Sequence, residues 1–353
     1  MTMLDLHADA AHLTASLVDI ESVSGNELAL ADQIHAALSG HDHLELLRSG
    51  NTIMARTTQG HETRVLLGGH IDTVPVADNL PSMRAADLIY GCGTCDMKAS
   101  IAVMLKLAVA VTRPRVDVTY VFYDCEEIEA DRNGLTRVES EHRDWLDADL
   151  AILMEPTDGE VEAGCQGTMR AVITTHGHRA HSARSWLGKN AIHAAGEVLR
   201  RLEDYVPRDV EIDGCTYKEG LNAVYVSGGV AGNVIPDSCT VSVNFRFAPD
   251  RSIAQAEAHI REVFAGFDVA ISDSAGAAMP GLGTPAAQAF VSAVGSPPRA
   301  KYGWTDVSRF SALGIPALNY GPGDPNLAHT REESVSITKI EQAEAVMRRF
   351  LTA

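Results

Sequence analysis

The sequence is poor in basic charge, aromatic side chains and long apolar runs, and each shortage narrows what it can be. Lys and Arg number 29 against 47 Asp and Glu, a formal net charge of −18 over 353 residues. Nucleic acid and anionic membranes both demand clustered cations, so neither is an expected partner. No block of like charge is long enough to form a tail. No stretch approaches ~18 uninterrupted apolar residues, which argues against a membrane span. The opening MTMLDLHADAAHLTASL has no basic run followed by a hydrophobic one, so no secretory leader is expected and a reducing, cytoplasmic setting follows. The six cysteines, at 92, 95, 125, 165, 215 and 239, are too scattered to demand a disulfide framework. Cys92-Gly-Thr-Cys95 has redox or zinc spacing, but a single copy is a weak signal. Internal repeats and low-complexity tracts are absent as well.

What is present is a globular balance, 45% hydrophobic and 22% charged, with a length suited to two domains or one large one. Up to about residue 167, strand-like runs (VLLGGHID, VTYVFYD, LAILMEP) alternate with helix-like ones (NELALADQIHAALS, MKASIAVMLKLAVAV). Such alternation predicts an α/β unit with a mixed, largely parallel sheet, whose chemistry sits in loops at strand ends. From 168 to 279 the order becomes β-α-β-β-α-β, the ferredoxin-like unit. After the linker-like SAGAAMPGLG the α/β character resumes with IPALNYGPG and a terminal helix. The expected division is therefore a discontinuous domain of 1–167 and 280–353, interrupted by an inserted α+β domain of 168–279.

The polar residues of interest cluster at strand ends. VTYVFYDCEEIEADRNG runs from a buried strand into Asp124, Glu126, Glu127 and Glu129. In GGHIDTVP, His70 and Asp72 stand two apart and so point to one side of a strand. A metal-bound histidine needs a partner for its other ring nitrogen, and Asp72 is a candidate; a surface turn would read the same way. Asp96, in GCGTCDMKAS, sits at the mouth of a long apolar helix, where it could equally be a cap. Glu155 ends LMEP, and His329 lies in the loop LAHTREE. Singly each could be incidental. Together, two histidines and several carboxylates at strand ends could meet on one sheet edge. Imidazole mixed with hard oxygen ligands suits Zn²⁺, Mn²⁺ or Co²⁺, and two such ions about 3.5–4 Å apart make a hydrolytic site.

In order, H-x-D, D-M-K, E-E, E-P and H resemble the motifs of the M20 family of co-catalytic zinc amidohydrolases and peptidases, over essentially the whole chain. The resemblance implies a zinc-peptidase-like catalytic domain with an inserted dimerisation (lid) domain, two Zn²⁺ ions (Co²⁺ or Mn²⁺ may substitute), and a homodimer. It implies that His70 and Glu155 hold one ion and Glu127 and His329 the other, with Asp96 bridging. Asp72 would orient His70, and Glu126 would be the general base that later protonates the leaving amine. The Asp96–Met97 peptide would be cis. Many members have Arg at the position of Cys92 and Gly-Gly at Ala99-Ser100; neither position is a ligand, and the C-x-x-C pair becomes incidental.

The inserted segment adds further candidates. In GHRAH, His178 or His181 is implied to reach a partner subunit's active site and stabilise the oxyanion. In CTVSVNFRF, period-2 alternation puts Val241, Val243, Phe245 and Phe247 inward and Arg246 on the polar face, where a guanidinium suits a carboxylate. Asn233 in GNVIP and Thr305 in KYGWTDVSRF are the other substrate-binding candidates. YGCGTCDMK, CEEIEADRNGL, GHRAHSARSWLGKNAIHAA and KYGWTDVSRF are most similar to the branch that hydrolyses N-succinyl-LL-2,6-diaminopimelate in lysine and diaminopimelate biosynthesis. A deacylase of another N-acyl amino acid, such as acetylornithine, or a dipeptidase shares the metal motifs. A metal-binding homologue without catalysis would be expected to have lost Glu126.

Overall fold

Strand Asp117–Tyr123 is buried at every position, Arg64–His70 at all but its first, and Leu150–Leu153 throughout. Strands apolar on both faces belong in the middle of a sheet covered on both sides. In the structure, a computed structural model describing residues 4–353, they do just that. Residues 1–3, the start of the stretch read for a leader, lie outside the described residues.

The central strands pair in parallel: Asp117–Tyr123 with Arg64–His70, that with Leu150–Leu153, and that with Ala317–Asn319. Antiparallel strands Thr52–Arg56 and Glu45–Ser49 flank one side, and Glu162–Ala163 the other, in an eight-stranded sheet closed by Arg299–Ala300. The sheet is mixed with a parallel centre, in keeping with the alternation. Helix Ala99–Ala110 is buried almost all round, and packs with helix Ala10–Val18 and with Ile337–Thr352. No helix among the described residues is long and apolar enough to cross a membrane.

The chain forms two compact units, one of Met1–Ala163, Gly281–Arg299 and Arg309–Ala353, the other of Gly164–Pro280 and Ala300–Ser308. The second therefore begins earlier than 168, and it takes in a short late segment that the sequence reading left with the larger part. Hydrogen bonds account for the capture: Gln166 N–H to Lys301 O (3.1 Å), Trp304 Nε1–H to Gly276 O (3.1 Å) and Ser308 Oγ–H to Gly276 O (2.7 Å).

In this second unit four antiparallel strands stand in the order Gly220–Gly228, Ser238–Phe247, Gly167–His176 and Asp268–Ala275. Helices Ala191–Glu203 and Ile253–Val263 complete the β-α-β-β-α-β order, the latter opened by a Ser252/Gln255 capping box. Val241, Val243, Phe245 and Phe247 are fully buried in its core, as their alternation requires. Hairpin Asp209–Ile212/Cys215–Lys218 was not anticipated. Its turn, Asp213 (φ 50°) and Gly214 (φ 78°), is the positive-φ pair that Asp-Gly favours.

Candidate metal centre

The parallel strands reach one sheet edge together, because their register fixes where each stops. His70 lies opposite Tyr123, and Met154 N–H donates to Gly68 O (2.8 Å), so the residues after Tyr123 and Met154 emerge beside His70. These are Asp124–Glu127 and the buried Glu155. After Ala317–Asn319 the chain turns through Gly321 towards His329. A Cβ on Gly321 would stand 2.5 Å from the carbonyl oxygens of Met154 and Glu155, so only glycine lets this turn lie against the Glu155 backbone.

His70 Nε2 is 3.0 Å from Asp96 Oδ1, His329 Nε2 is 3.4 Å from Asp96 Oδ2, and the same nitrogen is 2.8 Å from Glu127 Oε1. Asp96 thus has one imidazole on each carboxylate oxygen. Ligands ~2.0–2.2 Å from a tetrahedral ion lie roughly 3.4 Å from one another, close to the spacings seen here. Ligand atoms of His70, Asp96 and Glu127 all fall within 4.8 Å of one another. Imidazole nitrogen with carboxylate oxygen is also the donor set that first-row divalent ions take. The residues present fit such ions.

The imidazoles and carboxylates set one another's protonation. Burial opposes the charged form of His70, but Asp72 and Asp96 outweigh it and hold its pKa well above the ordinary value. The carboxylates of Asp96 and Glu127 push His329 up to about 10. Burial disfavours ionised Asp96, yet His329 and His70 keep it well below the usual carboxylate range.

Asp72 lies against both His70 and the glutamate pair. His70 Nδ1 is nearest the Asp72 backbone carbonyl (3.0 Å), with the Asp72 carboxylate at 3.5 Å. That carboxylate accepts the backbone N–H of Glu126 (3.0 Å), the N–H of Glu127 (3.1 Å) and the Ser24 hydroxyl (2.7 Å). It clamps the glutamate pair and also lies beside the imidazole, whose pKa it helps to raise. From below, Asp124 accepts Thr52 Oγ1–H and Arg137 Nη2–H (2.5 Å each), and Cys125 Sγ donates to Glu27 Oε1 (3.3 Å). Cys125 takes φ 59°, a left-handed conformation rare outside glycine, between these anchors and the half-buried Glu126 and Glu127.

Asp96 stands in a tight turn, Thr94–Lys98, ahead of helix Ala99–Ala110, and its peptide bond to Met97 is cis. Gly93 before it has φ 77°, and a Cβ there would meet Thr73 Cγ2 at 2.5 Å. Buried Lys98 donates to Ile20 O (2.8 Å), and burial pulls its pKa down to about 8. The buried Glu333 carboxylate accepts the N–H groups of Gly93 (2.9 Å), Cys95 (3.0 Å) and Asp96 (3.1 Å). All six cysteines are buried thiols; Cys92 and Cys95 donate to the carbonyls of Val74 and Asp324 (3.6 Å each).

In the second unit, His181 pairs with Val234, and Asn233 O accepts Ser182 N–H (2.9 Å), which brings His181 and Asn233 side by side. His181 Nδ1 accepts Ala183 N–H (3.1 Å). The neutral ring therefore carries its proton on Nε2. His178 is exposed, its backbone paired with Lys189. Arg246 is half-buried on the face opposite the core, and burial, with Arg170 nearby, lowers its pKa. Thr305 is buried, its carbonyl 3.7 Å from Cys165 Sγ.

Sequence reasoning missed Ser24, Glu27 and Glu333. Only Glu333 left a trace, as an acidic residue running straight into the alternating SVSI.

The family model for peptidase family M20/M25/M40 matches residues 66–353. The chain is 58% identical over 352 residues to the putative succinyl-diaminopimelate desuccinylase DapE of Mycobacterium tuberculosis, covering 99% of each. It is 48% identical over 360 residues to the succinyl-diaminopimelate desuccinylase of Corynebacterium glutamicum, covering 99% of this chain and 98% of the other. Among solved structures it resembles the Bacillus subtilis YXEP protein, described as a dinuclear metal binding peptidase from the M20 family. The TM-score is 0.71 at 16% identity, over 98% of this chain and 97% of that one.

Proposed function

The chain belongs to peptidase family M20/M25/M40, and on that footing we propose that it hydrolyses N-succinyl-LL-2,6-diaminopimelate to succinate and LL-2,6-diaminopimelate, in lysine and diaminopimelate biosynthesis. Identity of 58% and 48% over the full length to proteins named for that reaction supports the substrate. The observation that carries the chemistry is Asp96, with an imidazole against each carboxylate oxygen.

In this reading His70 and Glu155 would hold one ion and Glu127 and His329 the other, with Asp96 shared. Two divalent ions, zinc by the donor set, would supply Lewis acidity to polarise the amide carbonyl and acidify a water. The chain's own residues do the rest. Glu126 takes the proton of the attacking water and returns it to the leaving amine, with its backbone fixed by Asp72. His181, protonated on Nε2 by its Nδ1 contact, has a donor for the oxyanion developing in a partner subunit's site, which favours it over His178. Arg246 offers a guanidinium to a substrate carboxylate, with Asn233 and Thr305 as further contacts. A chain of net charge −18 has no global attraction for a dicarboxylate, so such local cations must draw it in.

A homodimer fits the second unit. Its edge strand Gly220–Gly228 exposes Val224 (61%), Tyr225 (64%) and Val226 (48%), and an unprotected apolar edge is a place for a second copy to pair. Light scattering on the Val226→Glu variant should then report monomer.

The deciding assay is purified protein with zinc against a panel of N-acyl amino acids. Succinyl-diaminopimelate should be the best substrate by a wide margin. Equal hydrolysis of acetylornithine would overturn the substrate and leave a broader deacylase.

A further inference from the structure

Resting on the two-ion reading above, we propose that Glu333 is a positioning residue that presets the Asp96–His329 pair before metal arrives. A buried carboxylate is costly unless its lone pairs are filled. Three backbone N–H groups, of Gly93, Cys95 and Asp96, converge on the Glu333 carboxylate within 3.1 Å. Its backbone carbonyl accepts a fourth, from Gly91 (3.0 Å). One residue thus grips the Asp96 turn along its length.

The same residue is tied to His329. Glu333 N–H donates to Thr330 O and Thr330 N–H to Leu327 O (3.4 Å each), so His329 rides on the short turn that ends at Glu333. On the other side, Ser334–Ser336 pairs antiparallel with Leu88–Tyr90, Ser334 opposite Tyr90. That ladder delivers the chain into Gly91–Asp96 and Glu333 into the middle of it. Glu333 is therefore the joint between two segments, 240 residues apart in sequence at Gly93, that each bring one ligand. His70 and Glu155 are placed independently, by neighbouring strands of the central sheet.

This asymmetry makes the inference testable. Glu333→Gln keeps the shape but turns one oxygen into an N–H donor, which then faces a backbone N–H. A Co²⁺ titration followed by visible absorption should show two ions on the wild type. On the variant the ion at His70 and Glu155, which shares only Asp96 with the gripped segments, should weaken least, and the ion at Glu127 and His329, which draws on both Asp96 and His329, 10–100-fold, the range for groups that orient ligands. Excess metal should restore turnover. Equal affinities for both ions in variant and wild type, or equal weakening of both, would overturn the role of Glu333 alone; a wild type that takes only one ion would overturn the two-ion reading. If the variant fails to fold, amide exchange in the metal-free wild type decides. Gly93, Cys95 and Asp96 should be protected like the neighbouring helix Ala99–Ala110, and exchange at the rate of free loop would sink the proposal.

Discussion

Asp72→Ala tests whether the glutamate pair is held by the clamp. The Asp72 side chain is fully buried and accepts two consecutive backbone N–H groups and one hydroxyl. Alanine leaves both N–H groups facing a hole. Each unsatisfied buried donor costs ~1–3 kcal/mol, so the pair costs roughly 2–6 kcal/mol, and a water entering the polar cavity brings this to the lower half. Asp72→Asn keeps the shape and one acceptor, and loses about one charge-assisted bond, ~1.5–3 kcal/mol. At ~1.4 kcal/mol per decade that is about a 10–100-fold fall in kcat if the loss is realised as misplacement of Glu126. Ser24→Ala removes a single contact and should be the mildest. Denaturant unfolding, Co²⁺ titration and steady-state kinetics on all three should rank Asp72→Ala as the most damaging, Asp72→Asn next and Ser24→Ala last. The distances make a finer claim, since the imidazole is 3.5 Å away while the Glu126 and Glu127 amides are at 3.0 and 3.1 Å. If Asp72→Asn weakened the ion at His70 but left kcat at saturating metal unchanged, Asp72 would serve the imidazole and the clamp would be wrong.

Glu126→Gln should lower kcat by ~10²–10⁴ with both ions still bound; near-normal turnover would remove it as the base. Arg246→Ala should raise KM for the succinylated substrate by about 10–100-fold, the equivalent of a ~1.5–3 kcal/mol charge-assisted contact, with kcat much less affected. Acid should weaken the fold partly through Asp117. Burial opposes its ionisation, but the Gln59 and His61 N–H groups and the Thr57 hydroxyl outweigh that and depress its pKa. Its contribution is therefore complete above the unfolded value of about 4 and fades as pH falls through the folded one. Urea midpoints between pH 6 and 3 should fall less steeply in Asp117→Asn.

Much of this was legible in the chain because side-chain patterns have letters. Val241, Val243, Phe245 and Phe247 announce a half-buried strand by alternation, and VTYVFYD a fully buried one by having none. His70, Asp96, Glu127 and His329 could be picked out as candidate donors by type. The partners of Asp72 and Glu333 could not, because they are backbone N–H groups, which every residue but proline carries and no letter marks. The hold of Asp72 on the glutamate pair was accordingly illegible, and so was that of Glu333 on the Asp96 turn. The capture of Ala300–Ser308 by the second unit was hidden for the same reason, since it rests on carbonyls at Gly276 and Lys301.

Strand Ala317–Asn319 fills a slot between Leu150–Leu153 and Glu162–Ala163, yet it is made only after the whole second unit. On the ribosome, the apolar edge of Leu150–Leu153 must therefore wait, unpaired, through the synthesis of more than a hundred further residues. A late-filled interior strand is a slow, high-contact-order step, and an open edge is where nascent chains stick to one another. His329 follows the strand, so the ligand set proposed above would be completed only near the end of translation. A truncated or stalled chain would consequently be sticky and, on the two-ion reading, short of a ligand, and its fate would be decided by chaperones and proteases before any substrate was met.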